Sequence, residues 1–142
     1  MNNWLTWSLL SAVFAGATAV LAKIGVTGVD SNFATAIRTT VILLFTWLIA
    51  SFTRSDRSFA TVSRRTWFFL ALSGLATGLS WLCYFRALQL GEASRVAPMD
   101  KLSVLFAILL AAIVLRETLT WHHLAGGGLV LADAIVLAFK ST

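Results

Sequence analysis

Gln89–Leu119 reads QLGEASRVAPMDKLSVLFAILLAAIVLRETL. The run from Leu102 to Leu115 carries no charge, and the chain's one proline, Pro98, stands at its head. Asp100 and Lys101 lie just inside the apolar segment, with Arg116 and Glu117 just beyond it. A charge at or near a hydrocarbon boundary costs several kcal/mol, so these positions need a physical reason. Proline has no amide hydrogen and is tolerated in a first helical turn, where no intrahelical acceptor is required. The spacing therefore predicts a span from Ala97 to Leu115, with Asp100 near the positive end of its dipole. Ser103, Ala107 and Ala111 follow Asp100 on one face, while Lys101 points about 100° away. Neighbours in sequence do not pair on a helix surface, so each of the two charges must find another partner. The bland reading anchors both in headgroups.

The rest of the composition agrees with lipid as the solvent. The chain has 142 residues, 58% hydrophobic and 12% charged, with a mean hydropathy of +0.85. An 18-residue or longer apolar stretch is a transmembrane candidate, and a spanning helix needs about 20 such residues. Roughly five segments qualify, near 4–26, 32–52, 65–88, 97–115 and 121–139, joined by short connections. The fold class is thus an all-α integral membrane protein, a five-helix bundle without a soluble domain. The first run has no basic flank before it and continues past Ala15-Gly16-Ala17, which argues against a cleaved signal peptide.

Charge and cysteine usage narrow the partners. The net charge of +5 comes from residues at span ends and in one loop, so it fits the lipid surface and not nucleic acid. Thr53 to Arg65 holds Arg54, Arg57, Arg64 and Arg65 against Asp56, which places that loop on the cytoplasmic side of the membrane by the positive-inside rule. Arg86, Arg95 and Lys140 fall on the opposite side, and Lys23, Arg38 and Lys101 lean that way. The tally is near balance, which permits insertion in either orientation. Cys83 is the lone cysteine and sits in an apolar run. His122 and His123 point apart on a helix, so no metal site and no cofactor is expected, and interfacial polarity accounts for them.

Several intramembrane polar residues are candidates for a solute pathway. Lys23 ends a small-residue stripe of Ser8, Ala12, Gly16 and Ala19; it either snorkels to headgroups or faces the pathway. Arg38 keeps its charge whatever its surroundings. It is either an anchor for an anionic group or a structural partner of Asp30, Asp100 or Asp133. Ser73, Thr77, Ser80 and Tyr84 form a hydroxyl stripe with Trp81 beside it. Each hydroxyl has the alternative of bonding to a carbonyl one turn back. Gly74 and Gly78 make a GxxxG step, whose ordinary meaning is close packing. Gly126, Gly127 and Gly128 permit near approach of another backbone. Asp133 is the deepest carboxylate, to be held neutral or paired with Lys23, Arg38 or Lys101.

Tyr84–Pro98, YFRALQLGEASRVAP, resembles the end of one repeat of the EamA family, in the drug/metabolite transporter superfamily. The shared pattern is a Tyr-x-x-Ala-Leu helix end, a small-residue turn, and Val-Ala-Pro entering the next helix. The likeness continues through Asp100-Lys101-Leu102-Ser103, the aliphatic run, Arg116-Glu117, the triple glycine and Asp133. Lys23-Ile24-Gly25 and Arg38-Thr39 echo the first half of the repeat. This resemblance implies a bacterial or archaeal secondary carrier of small metabolites or drugs, in which two such five-helix units form a ten-helix inverted pair.

No Gly-x-Ser-x-Gly, HExxH or phosphate loop is present, so catalysis is not expected. A structural or accessory membrane subunit fits the hydropathy but leaves the interior charges and the hydroxyl stripe unexplained. A carrier for a small polar or amphiphilic solute needs polar groups at midplane depth and opposed repeats. The expectation is therefore an antiparallel homodimer in the inner membrane, with the substrate path at its interface. The pathway residues would be Lys23, Arg38, Ser73, Thr77, Ser80, Trp81, Tyr84, Asp100, Lys101, Ser103 and Asp133. A half-transporter needing a different partner chain is the alternative.

Overall fold

The computed structural model of the chain describes residues 4–53 and 62–138. Arg54, Asp56, Arg57 and Lys140, which enter the charge tally, lie outside them. The described residues form six helices and no strand: α1 (Trp4–Gly25), α2 (Ser31–Phe52), α3 (Arg64–Leu90), α4 (Ala93–Asp100), α5 (Ser103–Val114) and α6 (Trp121–Ala138). Five spans are long and apolar enough to cross a membrane, the fourth made of α4 and α5 together. At a rise of 1.5 Å per residue, a 22-residue helix such as α1 extends about 33 Å, enough for the hydrocarbon core.

Local chemistry sets the ends of these helices. Gly28 takes a left-handed φ of 77° in the turn after α1, a conformation in which glycine carries no Cβ penalty. Asp30 then caps α2: its Oδ1 accepts from the amides of Asn32 at 2.9 Å and Phe33 at 3.1 Å. Ser63 does the same for α3, its Oγ accepting from the Thr66 amide at 3.1 Å. α5 ends where Arg116 adopts a φ of 56°, and the Glu117 amide turns back to the Ala111 carbonyl at 3.2 Å.

The fourth span differs from the expectation. It begins at Ala93, one turn before Ala97, so Pro98 lies inside α4 and not in its first turn. There the missing N–H leaves the Ser94 carbonyl without its helical donor, and the ring crowds that carbonyl. The helix tightens in response. The amides of Lys101, Leu102, Val104 and Leu105 donate to the carbonyls of Pro98, Met99, Lys101 and Leu102 at 2.9–3.1 Å, all three residues back. A short 3₁₀ passage thus separates α4 from α5. Asp100 is accordingly the last residue of α4, at the negative end of that helix, and not near a positive end as the sequence implied.

Two compact units emerge, 24–89 and a second made of 1–23 with 90–142. In the first, α2 starts beside the end of α3: Gln89 Nε2 donates to the Val29 carbonyl. Val26, Ser31, Thr35, Phe85 and Leu88 are buried there. In the second, α6 packs along α4 and α5. A Cβ on Gly127 would stand 2.8 Å from Leu105 Cδ2, so the glycine sets the approach of α5 and α6. Ala19, Ala22 and Ala134 are the buried apolar residues of this unit. Most other large apolar side chains among the described residues are exposed, Phe52 at 80% and Trp121 at 76% among them. Such surfaces are stable only against lipid or another chain.

Candidate functional site

Arg38 stands seven residues into α2, about 10 Å along the helix from its start. A guanidinium at that depth needs compensation, and the structure supplies it from α3. The Arg38 Cζ lies 4.4 Å from the centroid of the Trp81 ring and 5.4 Å from that of Phe85. Each contact places the cation over the negative face of an aromatic ring, worth about 0.5–2 kcal/mol according to how dry the site is. Trp81 and Phe85 are one turn apart on α3 and so share a face. Phe85 itself is fully buried, and Tyr84 meets it edge-on at 6.5 Å.

None of the three carboxylates proposed for Arg38 pairs with it among the described residues. Asp30 has both recorded acceptor contacts on the α2 amides. The guanidinium carbon stands over the two rings and Tyr84 lies within electrostatic reach, while no carboxylate among the described residues pairs with its N–H groups. That leaves a half-buried, rigidly backed hydrogen-bond fork.

The hydroxyls near this cluster are local in their bonding. Thr77 Oγ1 donates to the Ser73 carbonyl at 2.9 Å. On α2, Thr35, Thr39 and Thr40 donate to the carbonyls of Ser31, Thr35 and Ala36 in the same way, at 2.7–3.0 Å. A hydroxyl that donates to its own helix still offers lone pairs as acceptors. Ser73 and Ser80 are exposed and Tyr84 is half-buried. Gly74, one turn below Thr77 to Gly78, has open space where a Cβ would stand, as has Gly78. The GxxxG step therefore has no described residue in close contact where its side chains would stand. An open groove of about 390 Å³ runs beside it, lined by Asn32, Thr35, Thr39 and Leu43 of α2 and Gly78 and Leu82 of α3.

The other candidates lie in the second unit. Lys23 is half-buried and its Nζ donates to the Gly91 carbonyl at 2.7 Å, tying the end of α1 to the turn before α4. Asp100, Lys101 and Ser103 are exposed at the break in the fourth span. Asp133 is exposed on α6, next to buried Ala134, and has no ion pair among the described residues. Asp133, expected to be held neutral or paired with a cation, is thus exposed and without an ion pair among the described residues. No group of three or more potential metal ligands occurs among the described residues.

Two functional features escaped the sequence reading. Phe85 completes the aromatic backing of Arg38, and its spacing of four from Trp81 was the available signal. His123 is a helix cap: its Nδ1 accepts from the Thr120 amide at 3.2 Å and lies 3.3 Å from the Thr120 hydroxyl.

Comparison with known proteins agrees with this architecture. The model of the EamA-like transporter family matches residues 2–139. A Sinorhizobium protein named "Uncharacterized transporter in cobO 3'region" is 49% identical over 137 residues, covering 96% of this chain and 97% of that protein. The Bacillus subtilis (strain 168) protein named "Uncharacterized transporter YvbV" is 31% identical over 113 residues, 80% of this chain but 37% of its own length. No solved structure matches the chain. With five apolar spans and a family match over nearly its whole length, the chain is a multi-pass membrane protein belonging to the EamA-like transporter family.

Proposed function

We propose that the protein is a secondary carrier of small molecules in the inner cell membrane, working as an antiparallel homodimer with the solute path between the two copies. The observation that carries this reading is the exposure of Asp100, Lys101 and Asp133 within apolar spans of a single chain. A carboxylate left to lipid at the centre of a span costs about 2.5–3.5 kcal/mol even on insertion scales. A second copy offers these groups a wet seam and opposite charges.

Length supports the same view. The chain aligns with 97% of one relative and with 37% of another, which is long enough to hold two such units. One long chain supplies both repeats of an inverted pair, whereas short chains supply them by association. Five spans put the two ends of the chain on opposite sides of the membrane, and the near-even charge tally permits both insertions. The pathway then draws on Lys23, Arg38, Ser73, Thr77, Ser80, Trp81, Tyr84, Asp100, Lys101, Ser103 and Asp133. The break after Pro98 gives the fourth span a discontinuous helix, a common element of carrier sites at midplane depth.

The test has two arms. With Cys83 changed to Ala, a cysteine at Ser55 is labelled from each side of intact vesicles by an impermeant maleimide. Comparable labelling from both sides is expected; a single orientation in every copy defeats the antiparallel arrangement. Purified protein in liposomes is then screened for solute flux, with Asp100→Asn and Asp133→Asn as controls. Specific flux lost in a folded variant upholds carriage, and stable assembly without flux of any panel solute favours an accessory subunit.

A further inference from the structure

We propose that the Arg38–Trp81–Phe85 cluster is the receptor for the carboxylate of an amphiphilic monocarboxylate solute, whose apolar body lies along α3 over Trp81 and the open space at Gly74. The term solute rests on the carrier reading above; the binding chemistry does not.

The Arg38 side chain lies in a membrane span with its Cζ over the rings of Trp81 and Phe85 and Tyr84 within electrostatic reach, and no carboxylate or carbonyl among the described residues receives its N–H groups. Aromatic rings satisfy the cation's charge without taking up its N–H donors, which stay available for bidentate recognition of an oxyanion. A structural arginine would direct that edge at a protein acceptor, since an unmet charged donor in low dielectric is expensive. Asp30, the nearest acid in sequence, is already bonded to two α2 amides.

The surroundings choose the rest of the ligand. Trp81, Thr77 and Gly74 recur at intervals of four and three, so they share one side of α3 below the guanidinium. Nothing stands within 4 Å of a Cβ at Gly74, and Thr77 has its hydroxyl hydrogen engaged with its own helix. That strip holds an indole, a hydroxyl whose hydrogen is already engaged and an empty slot, and so suits an aryl or alkyl body. A small hydrophilic anion such as phosphate would gain nothing from it. A cationic solute would meet Arg38 head-on, and like charges there oppose binding. A phospholipid offers the same chemistry, an oxyanion on an apolar chain, and has to be separated by experiment.

The test uses three ligands with one body: 4-phenylbutyrate, 4-phenylbutanamide and 4-phenylbutylamine. Their binding to the full chain is measured by titration calorimetry in nanodiscs of phosphatidylcholine. The acid is expected to bind at least tenfold more tightly than the amide, with the amine weakest. Arg38→Gln is expected to abolish the preference for the acid. Arg38→Lys, which keeps charge and span but not the fork, is expected to weaken acid binding about tenfold, while Trp81→Phe keeps most of it and Trp81→Leu loses severalfold. Equal binding of acid and amide to the wild type overturns the proposal without any variant having to fold. Nanodiscs with phosphatidylglycerol separate the two oxyanion sources: anionic lipid that excludes the acid, with Arg38 variants losing lipid and not acid binding, assigns the site to a headgroup and overturns it. Flux of unrelated solutes without acid binding leaves the carrier intact and sinks this site. Acid binding without flux of any solute does the reverse.

Discussion

Asp30 and His123 are polar residues whose position at a helix start fixes what they do. Asp30 satisfies two amides at the entrance of α2, and its loss leaves them to water or headgroups. Asp30→Ala is expected to lower the unfolding free energy by about 1 kcal/mol, with Asp30→Asn keeping most of it. Unfolding by sodium dodecyl sulfate in mixed micelles measures both. His123 occupies the third position of α6 and accepts from the Thr120 amide, the place where Glu or Gln usually closes a capping box. His123→Gln is expected to retain slow amide exchange at Thr120, and His123→Ala to speed it several-fold, as read by hydrogen–deuterium exchange. The sequence showed a Thr two residues before a His pair but not which ring turned back, since that depends on the backbone entering α6. Arg38 teaches the same lesson. Its charge and depth were plain in the sequence; its partners were sought among acids, and the aromatic pair on α3 took that role because Asp30 was needed as a cap.

At the scale of the element, the number and helical nature of the spans were legible because hydropathy and length alone decide them. The fourth span shows where that reasoning stops. Ser94 and Arg95 make its first turn polar, so the apolar count starts too late and moves Pro98 from the interior to the first turn. Proline at an interior position is what produces the 3₁₀ passage through Lys101 and Leu102. Pro98→Ala restores an amide one turn after Ser94 and is expected to join α4 and α5. Amide exchange at Lys101 to Val104 should then slow at least tenfold, and unchanged exchange there assigns the break to something other than the proline. On α6, Gly127 is a second element-level constraint. Its Cβ would press on Leu105 Cδ2, the tip of a flexible side chain, and Gly127→Ala is expected to be tolerated. Gly127→Leu has no such escape and is expected to cost about 1–3 kcal/mol in the same micellar titration.

For the whole molecule, the decisive quantity is the balance of cations between the two ends of the spans. Most large apolar side chains are exposed, so the described helices need lipid or another chain against them. Orientation is set by lysine and arginine near span ends, and a near-even tally is shifted by two charges. Ser55→Lys with Ser58→Lys should hold every copy with the 53–65 loop inside. Arg54→Gln with Arg57→Gln should favour the opposite insertion. On the proposed antiparallel arrangement neither variant has an inverted partner among its own copies, so each alone should lose solute flux in liposomes made from membranes expressing it. Expressed together, the two supply both orientations, and flux should return. The pair of losses with rescue separates orientation from damage, because a variant that had merely misfolded would not be rescued by a second one. Full flux from the Ser55→Lys, Ser58→Lys protein alone, with labelling showing a single orientation, would mean that the solute path lies within parallel copies or one chain.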